Sequence, residues 1–592
     1  MLAAVRVRYD ALAWSRLAAI IGAIATVVAT VWIRLGAAGW FASSLLFATF
    51  GALVVFHGRV ATKRDRLLAA RLFNQRGKDR LEGKWTEFKD DGAQYLNDNH
   101  AFALDLDIFG KSSLYQLLND TRTAKGAQQL ADCLVAPWPT ESIQSRQQSV
   151  KELSAMLAWR ESLSVAGTIA SETQPDPEPL LAWGERTPTL NASKGFIVAA
   201  CAASLLPIVA AIASIHPSVP NWFFLLPCIL NMATTFALSK KLEPIITAVS
   251  DRSSDLERHS EMLELIEKQN FTSDGLVATQ DKLRSSGLCA SAEIRKLARI
   301  VSILDARRNG AFRAVIGPAL LWDLRCVFAL ERWQSRVGPS TRQWVQALAD
   351  VEATSSLAAF GFENPNYAFP EIGSGSDIGR LHFDAKGLGH PLISNATRVI
   401  NDVSMPGPGS VMLVTGSNMS GKSTLLRSIG VAAVLALAGA PVCAKELKIS
   451  WCVVRTSMRV SDSLKDGISR FYAELLKLKL VTQTAQHSPV LFLLDEILHG
   501  TNSRERHVGA LSIIKNLINA GAIGAVSTHD LALASLADQE PTRLSLVHLQ
   551  EQVHNGKMVF DYKLREGVVK SGNALRWMQQ VGLPVDDTAQ PQ

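Results

Sequence analysis

Three short stretches in the last third of the 592-residue chain carry residue types and spacings suited to phosphate chemistry. The first is GSNMSGKST at 416–424, directly after the apolar run VMLVT at 411–415. Gly416, Gly421, Lys422 and Ser423 satisfy the G-x4-G-K-S/T pattern. Its glycines let backbone N–H groups wrap a β-phosphate, its lysine reaches the β- and γ-phosphates, and its serine hydroxyl holds magnesium. A coincidental structural Gly-rich turn is the bland alternative, and the flanking strand and helix patterns weigh against it. The predicted phosphate loop comprises Gly416, Ser417, Asn418, Met419, Ser420, Gly421, Lys422, Ser423 and Thr424.

The second stretch, VLFLLDE at 490–496, ends a buried-strand pattern in adjacent carboxylates. Asp495 suits Mg²⁺ or its bound water, and Glu496 suits polarisation of an attacking water. The third, AIGAVST at 522–528, delivers His529, placed to sense a γ-phosphate. Taken alone, that histidine serves equally well as a core or surface residue. Three strand-end groups in this order favour a site, because ligands collect at the carboxyl ends of parallel strands. The catalytic set predicted here is Lys422, Glu496 and His529, with Ser423 and Asp495 as metal ligands and ATP and Mg²⁺ as the bound species.

Strands alternating with helical patterns over 381–592 give an α/β domain with a parallel sheet. Upstream the pattern is helical. Residues 68–95 read as a surface helix, and 103–154 as an extended start, a helix around Leu114–Asn119, a second from near Ala124, a Pro137/Pro139 break and a third helix. Asp105 and Asp107, alternating within ALDLDIFG, read as surface positions rather than a metal pair. Residues 249–305 and 318–360 carry further helices, whose mixed Trp, Leu and Arg faces suit helix packing.

The composition is unusual for a protein wholly in water: 47% hydrophobic and only 19% charged. The excess is localised. Apolar runs at 17–33 and 35–56 are bounded by Arg16, Arg34 and Arg59, and a second pair occupies 196–215 and 219–238, closed by Lys240 and Lys241. These read as two transmembrane hairpins; a buried hairpin of a soluble domain is the alternative for the second pair. A cleaved leader is disfavoured, since no clear small-residue cleavage site follows the first run. Arg6, Arg8 and Arg16 before the first hairpin, and Arg59, Lys63, Arg64 and Arg66 after it, place both termini and the body in the cytoplasm. The expected location is a multi-pass membrane protein, in the inner membrane if the source is bacterial. Short outer turns argue against a receptor, channel or transporter. The formal charge of +7 is thus partly a topology signal and not a nucleic-acid footprint by itself. Seven cysteines without CxxC or Cys/His spacing point away from disulfides and zinc.

The predicted divisions are 1–60 (first hairpin), 61–194 (cytoplasmic helical region), 195–240 (second hairpin), 241–380 (helical, second part) and 381–592 (ATPase).

At these motifs the chain resembles the MutS family of DNA mismatch repair ATPases, a branch of the ABC ATPase class. The family's Asn-Met pair falls on Asn418 and Met419, its D-E-x-x-x-G-T-S on DEILHGTN, and its Gly-His-Pro turn on Gly389, His390 and Pro391. Its serine-aromatic-glutamate signature falls on Ser469, Phe471 and Glu474, with Arg470 where Thr is usual. The resemblance implies an ABC-type P-loop domain on an all-α MutS-like core, and an ATP site completed by Ser469 of a second copy, hence a homodimer through the ATPase domains. It also implies DNA as a partner, alongside the lipid bilayer and a protein partner that the sequence does not name. The departures are specific: a membrane hairpin stands where a mismatch-reading domain would be, no Phe-x-Glu motif occurs there, and the second hairpin with a modest helical segment replaces the clamp. The alternative function is a nucleotide-gated membrane scaffold or a transport-related ABC ATPase without DNA binding.

Overall fold

The computed structural model describes residues 2–97, 100–136, 138–168, 176–190, 192–284, 287–373, 381–417, 419–459, 470–498, 501–554 and 557–568. The fold is mostly helical, with two mixed β-sheets in the C-terminal third.

Helices α1 (Leu2–Ile33) and α2 (Gly36–Leu81) run antiparallel. The turn between them places Arg34 and Gly36 at φ 56° and 63°. Tyr9 lies 4.3 Å from the His57 ring, and the Arg64 guanidinium sits 4.2 Å over Tyr9. Thr26, Thr30 and Ser43 return their hydroxyls to the carbonyls one turn back, at 2.7, 2.7 and 2.9 Å, so these three donors are satisfied within their own helices. Beyond the apolar run α2 continues without a break to Leu81, so the helix expected from residue 68 is its extension. Its foot is clamped: Arg80 is buried and ion-paired to Glu363 at 2.8 Å.

Residues 101–112 wind through turns rather than running extended, with Asp107 and Ser112 at φ 52° and 59°. Helices α3 (Leu114–Leu118), α4 (Ala124–Val135) and α5 (Thr140–Ala155) follow as expected, α3 and α4 capped by Ser113 and Thr123 side chains. Then come α6 (Leu157–Gly167), α7 (Glu178–Glu185) and the apolar α8 (Lys194–Ala213).

The fourth expected span is not a full one. Residues 216–224, rich in Pro and aromatics, form turns, and α9 (Leu225–Val249) begins only at Leu225. Its apolar part ends at Leu238, before Lys240 and Lys241, and measures about 21 Å against about 30 Å of hydrocarbon. Among the described residues, α1, α2 and α8 are the helices long and apolar enough to cross a membrane.

The body is completed by α10 (Ser253–Lys268), α11 (Asp274–Arg284), α12 (Ala290–Leu304), the single turn α13 (Gly317–Ala319) and the long α14 (Trp322–Glu363), whose buried side chains include Trp333 and Trp344. One sheet orders as β1 (Glu371–Gly373), β5 (Glu446–Ser450), β2 (Phe383–Leu388) and β3 (Asn401–Met405). The larger sheet orders as β10 (Lys557–Glu566), β9 (Leu544–His554), β4 (Val411–Thr415), β8 (Ile523–Thr528), β7 (Val490–Asp495) and β6 (Val453–Ser457). All its pairings are parallel except β9 with β10.

Strand side chains alternate between two cores, as the period of two requires. Met412, Val414, Leu491 and Leu493 join the core shared with α15 (Lys422–Leu437) and the helical body. Val411, Leu413, Phe492 and Leu494 join the opposite core, with α16 (Arg470–Ala485) and α17 (Ser503–Asn519). The first core is continuous from Leu106 through Trp333 to Val431, so segments before and after α8 and α9 fold into one body.

Candidate phosphate-binding site

Strand β4 is buried at every position and delivers the chain to a loop with glycine at two positions that leave no room for a Cβ. Gly416 and Gly421 have φ of 148° and 99°. A Cβ on Gly416 would lie 2.4 Å from the Leu549 carbonyl, and one on Gly421 would lie 2.9 Å from the Tyr562 ring. Between them Met419 takes φ 68° and is exposed, while the Ser420 hydroxyl is buried with no hydrogen-bond partner among the described residues.

Helix α15 starts at Lys422 with no side-chain cap, so its first-turn N–H groups face the loop. Ser423 and Thr424 lie in that turn. Lys422 is buried and donates from Nζ to the carbonyls of Gly416 (3.0 Å) and Ser417 (2.9 Å). Burial lowers its pKa, opposed by the charges of Glu496 and Asp495.

The two carboxylates arrive from β7, and the histidine from β8 beside it. Register pairs Asp495 with Ser527, whose hydroxyl donates to Asp495 Oδ1 and accepts the Glu496 N–H at 3.1 Å. Glu496 then leaves the strand at φ 48°. Its Oε1 lies 2.6 Å from His529 Nε2 and 3.7 Å from Lys422 Nζ, and Lys422 Nζ is 3.2 Å from His529 Nε2. Lys422, Asp495, Glu496 and His529 thus meet at the ends of three adjacent strands, as their sequence order predicts. Asn418 and Ser469 lie outside the described residues.

Glu474 is buried and accepts the Leu498 N–H, bracing the turn after the carboxylates where Leu498 takes φ 62°. Phe471 packs on the second core. Asn502 caps α17 by accepting the Glu505 N–H at 2.9 Å. His390 is buried at the start of the sheet region, and burial with the nearby charge of Arg427 pushes its pKa down to about 4.

Asp105 is not a surface residue. It is 1% exposed, and its carboxylate accepts from Thr456 Oγ1 (2.7 Å), Met458 N (3.1 Å) and Arg459 N (3.1 Å), with Lys477 Nζ at 3.4 Å. Asp107 pairs with Arg459 at 2.8 Å. The helical body therefore grips the end of β6 and the middle of α16 directly. Two other groups escaped sequence reasoning. Ser527 was visible only as the penultimate residue of a strand whose register was unknown. Tyr562, beside Gly421, is held by a β10 bulge in which Asn401 bonds the Tyr562 carbonyl (3.0 Å) and the Leu564 N–H (2.9 Å).

The model of MutS domain V matches residues 412–590, the span that holds the loop, both carboxylates and His529. This stretch is similar to a MutS-family ATPase domain. Curated relatives agree: the chain is 32% identical over 245 residues to DNA mismatch repair protein MutS of Shouchella clausii, covering 40% of this chain and 27% of that one. It is 31% identical over 264 residues to DNA mismatch repair protein MSH6 of Arabidopsis thaliana (41% and 19%). It is 29% identical over 261 residues to MutS of Bacillus subtilis (43% and 29%). The chain thus spans between about a fifth and three tenths of these relatives. The MutS-like stretch is joined to a helical body that, among the described residues, bears three helices of membrane-spanning length and apolarity.

Proposed function

We propose that the chain is a membrane-anchored ABC-type ATPase that binds ATP with Mg²⁺ at the 416–424 loop and hydrolyses it on the cytoplasmic side. The observation that carries this reading is the convergence of Lys422, Glu496 and His529 beside the loop. The loop fits a phosphate chain: its two glycines leave a cradle that a Cβ would fill, and the buried Ser420 hydroxyl has no partner among the described residues. Magnesium characteristically binds through one or two protein oxygens together with substrate phosphates, which matches Ser423 and Asp495 better than a closed cage. Among the described residues no group of three or more His, Cys, Asp or Glu is arranged as such a cage. Bound there, the ion neutralises phosphate charge.

The chain's own groups divide the remaining work. Loop N–H groups and Lys422 hold the phosphates, Ser527 fixes Asp495 in place, and Glu496 accepts a proton from the attacking water. His529, in contact with both Glu496 and Lys422, reports the terminal phosphate to them. Ser469 of a second copy completes the site, which makes a homodimer the working form. In this reading the boundaries near residues 60, 194, 240 and 380 separate membrane, helical and ATPase parts.

The relatives' names attach DNA mismatch repair to those proteins, and DNA is the partner they suggest. The clamped foot of α2, where Arg80 meets Glu363, favours a second output, transmission of the ATPase cycle to the membrane helices. Salt-dependent binding of duplex DNA by the purified protein separates the two. The ATPase reading is tested with Glu496→Gln in the full chain in detergent: hydrolysis is lost and ATP binding kept, whereas unchanged turnover overturns the assignment.

A further inference from the structure

Residues 309–321, between α12 and α14, leave an apolar surface uncovered where the chain turns back on itself. Phe312–Ile316 form a π-helical turn, Gly317–Ala319 a single α turn, and Leu321 reverses the chain at φ 48°. Val315 and Ile316 are 58% and 48% exposed at the tip. Nothing in a cytoplasmic helical body requires such a tip.

Its neighbours are the apolar helices. Asn231 of α9 donates to the Ala319 carbonyl at 2.7 Å and to the Ala203 carbonyl of α8 at 3.0 Å. Thr235 donates to the Pro318 carbonyl at 3.4 Å, and Phe196 of α8 meets Phe328 edge-on at 5.9 Å. Asn231 stands two and a half turns before Lys240, about 13 Å along the helix, so Ala319 reaches well into the apolar zone.

The same zone is needed for another reason. The body before α8 and the body after α9 share one core, so the chain that leaves through α8 must return to the same side. Its returning arm offers only about 21 Å of apolar helix. The tip packs against that short arm.

We propose that residues 309–321 are a re-entrant wedge embedded in the cytoplasmic leaflet, with lipid acyl chains against Val315 and Ile316. The proposal rests on the reading that α8 crosses the bilayer. Exposed apolar side chains occur on all three elements: Leu205 and Val209 of α8, Ile229, Leu230 and Phe236 of α9, and Val315 and Ile316 of the tip. Irregular backbone survives at membrane depth only when its polar groups are satisfied by protein. Here Asn309 Oδ1 accepts the Ala311 and Phe312 N–H groups (3.0 and 3.2 Å), and Asn231 and Thr235 serve the carbonyls of 318 and 319. The rim is polar and aromatic. Arg307 and Arg308 are ion-paired there, to Glu243 and to Asp251, Arg313 is exposed, and Trp322 stacks edge-on against Phe312 with its N–H bonded to the Ile303 carbonyl at 3.1 Å. Such residues settle at a headgroup layer, most favourably an anionic one.

The test uses the full chain in phosphatidylcholine/phosphatidylglycerol vesicles, with Cys201, Cys228 and Cys289 replaced and ATPase activity verifying the fold. An NBD fluorophore is placed at Val315→Cys, Ile316→Cys, Val209→Cys in α8 or Arg308→Cys. Nitroxide lipids labelled at a shallow acyl position should quench the probes at 315, 316 and 209 several-fold more than aqueous iodide does, with the order reversed at 308. Iodide quenching at 315 and 316 with lipid quenching kept at 209 overturns the wedge and leaves the α8 reading standing. Iodide quenching at 209 as well overturns both.

Discussion

The Glu496 carboxylate lies 2.6 Å from His529 Nε2, although the two residues come from different strands, and Lys422 Nζ completes the triangle. Groups in such contact act as a unit, so their mutational effects should not add. Glu496→Gln is expected to lower the rate of ATP hydrolysis by about 10²–10⁴-fold, the range for loss of a general base. His529→Ala should lower it less. The double variant should fall within about tenfold of Glu496→Gln alone. Steady-state phosphate release measures all three, and multiplicative losses would show that the contact has no catalytic meaning.

The loop makes a separate, steric prediction. A methyl group on Gly416 would meet the Leu549 carbonyl at 2.4 Å, and backbone cannot swing aside as a side chain can. Gly416→Ala should therefore weaken binding of a fluorescent ATP analogue at least tenfold, about 1.4 kcal/mol, with an unchanged circular dichroism spectrum. Gly407→Ala, where a Cβ would meet nothing within 4 Å, is the matched control and should bind normally. Equal affinity in both variants would mean that the loop does not contact nucleotide.

Asp105 ties the helical body to the ATPase domain through two backbone N–H groups, a threonine hydroxyl and Lys477. Asp105→Ala strands these donors in a buried place, at about 1–3 kcal/mol for each unsatisfied group. Thermal unfolding should show a loss of at least about 3 kcal/mol, with Asp105→Asn retaining part of it because the amide oxygen still accepts. Stability equal to wild type in the alanine variant would rule out the tie.

Why the ATPase site was readable and Asp105 was not follows from distance along the chain. The loop, the two carboxylates and His529 each sit at the end of a short apolar strand, and local pattern reports both strand and end. Helices α3 and α4 announced themselves by periodicity, and α5 by the proline break before it. Asp105 finds its partners some 350 residues away, and no local pattern carries that information. The fourth apolar run misled for a related reason. The apolar run at 219–238 takes in Val219 and the aromatics at 222–224 as membrane material, but Pro220, like Pro217 before it, has no N–H to continue a helix, so the chain turns there instead. The wedge at 309–321 was too short to register as membrane at all, and its placement depends on Asn231 and Thr235 of a distant helix.

His390 gives the ATPase domain an acid-side weakness. Its imidazole is buried near Arg427 and Arg398, with Asp107 only partly offsetting their charge, so its pKa falls to about 4 from an ordinary value near 6.5. The folded state therefore favours the neutral ring, while the unfolded chain takes up a proton as pH drops below 6.5. The stability this provides is complete above pH 6.5 and is lost progressively between pH 6.5 and 4. The loss reaches about 3 kcal/mol at the lower limit, at 1.36 kcal/mol per pH unit. His390→Gln cannot titrate in this range. Unfolding midpoints of wild type and variant, followed by tryptophan fluorescence in detergent from pH 8 to pH 4, should run parallel above pH 6.5. Below it the wild type should fall faster, and curves that stay parallel down to pH 4 would rule out His390 as the source.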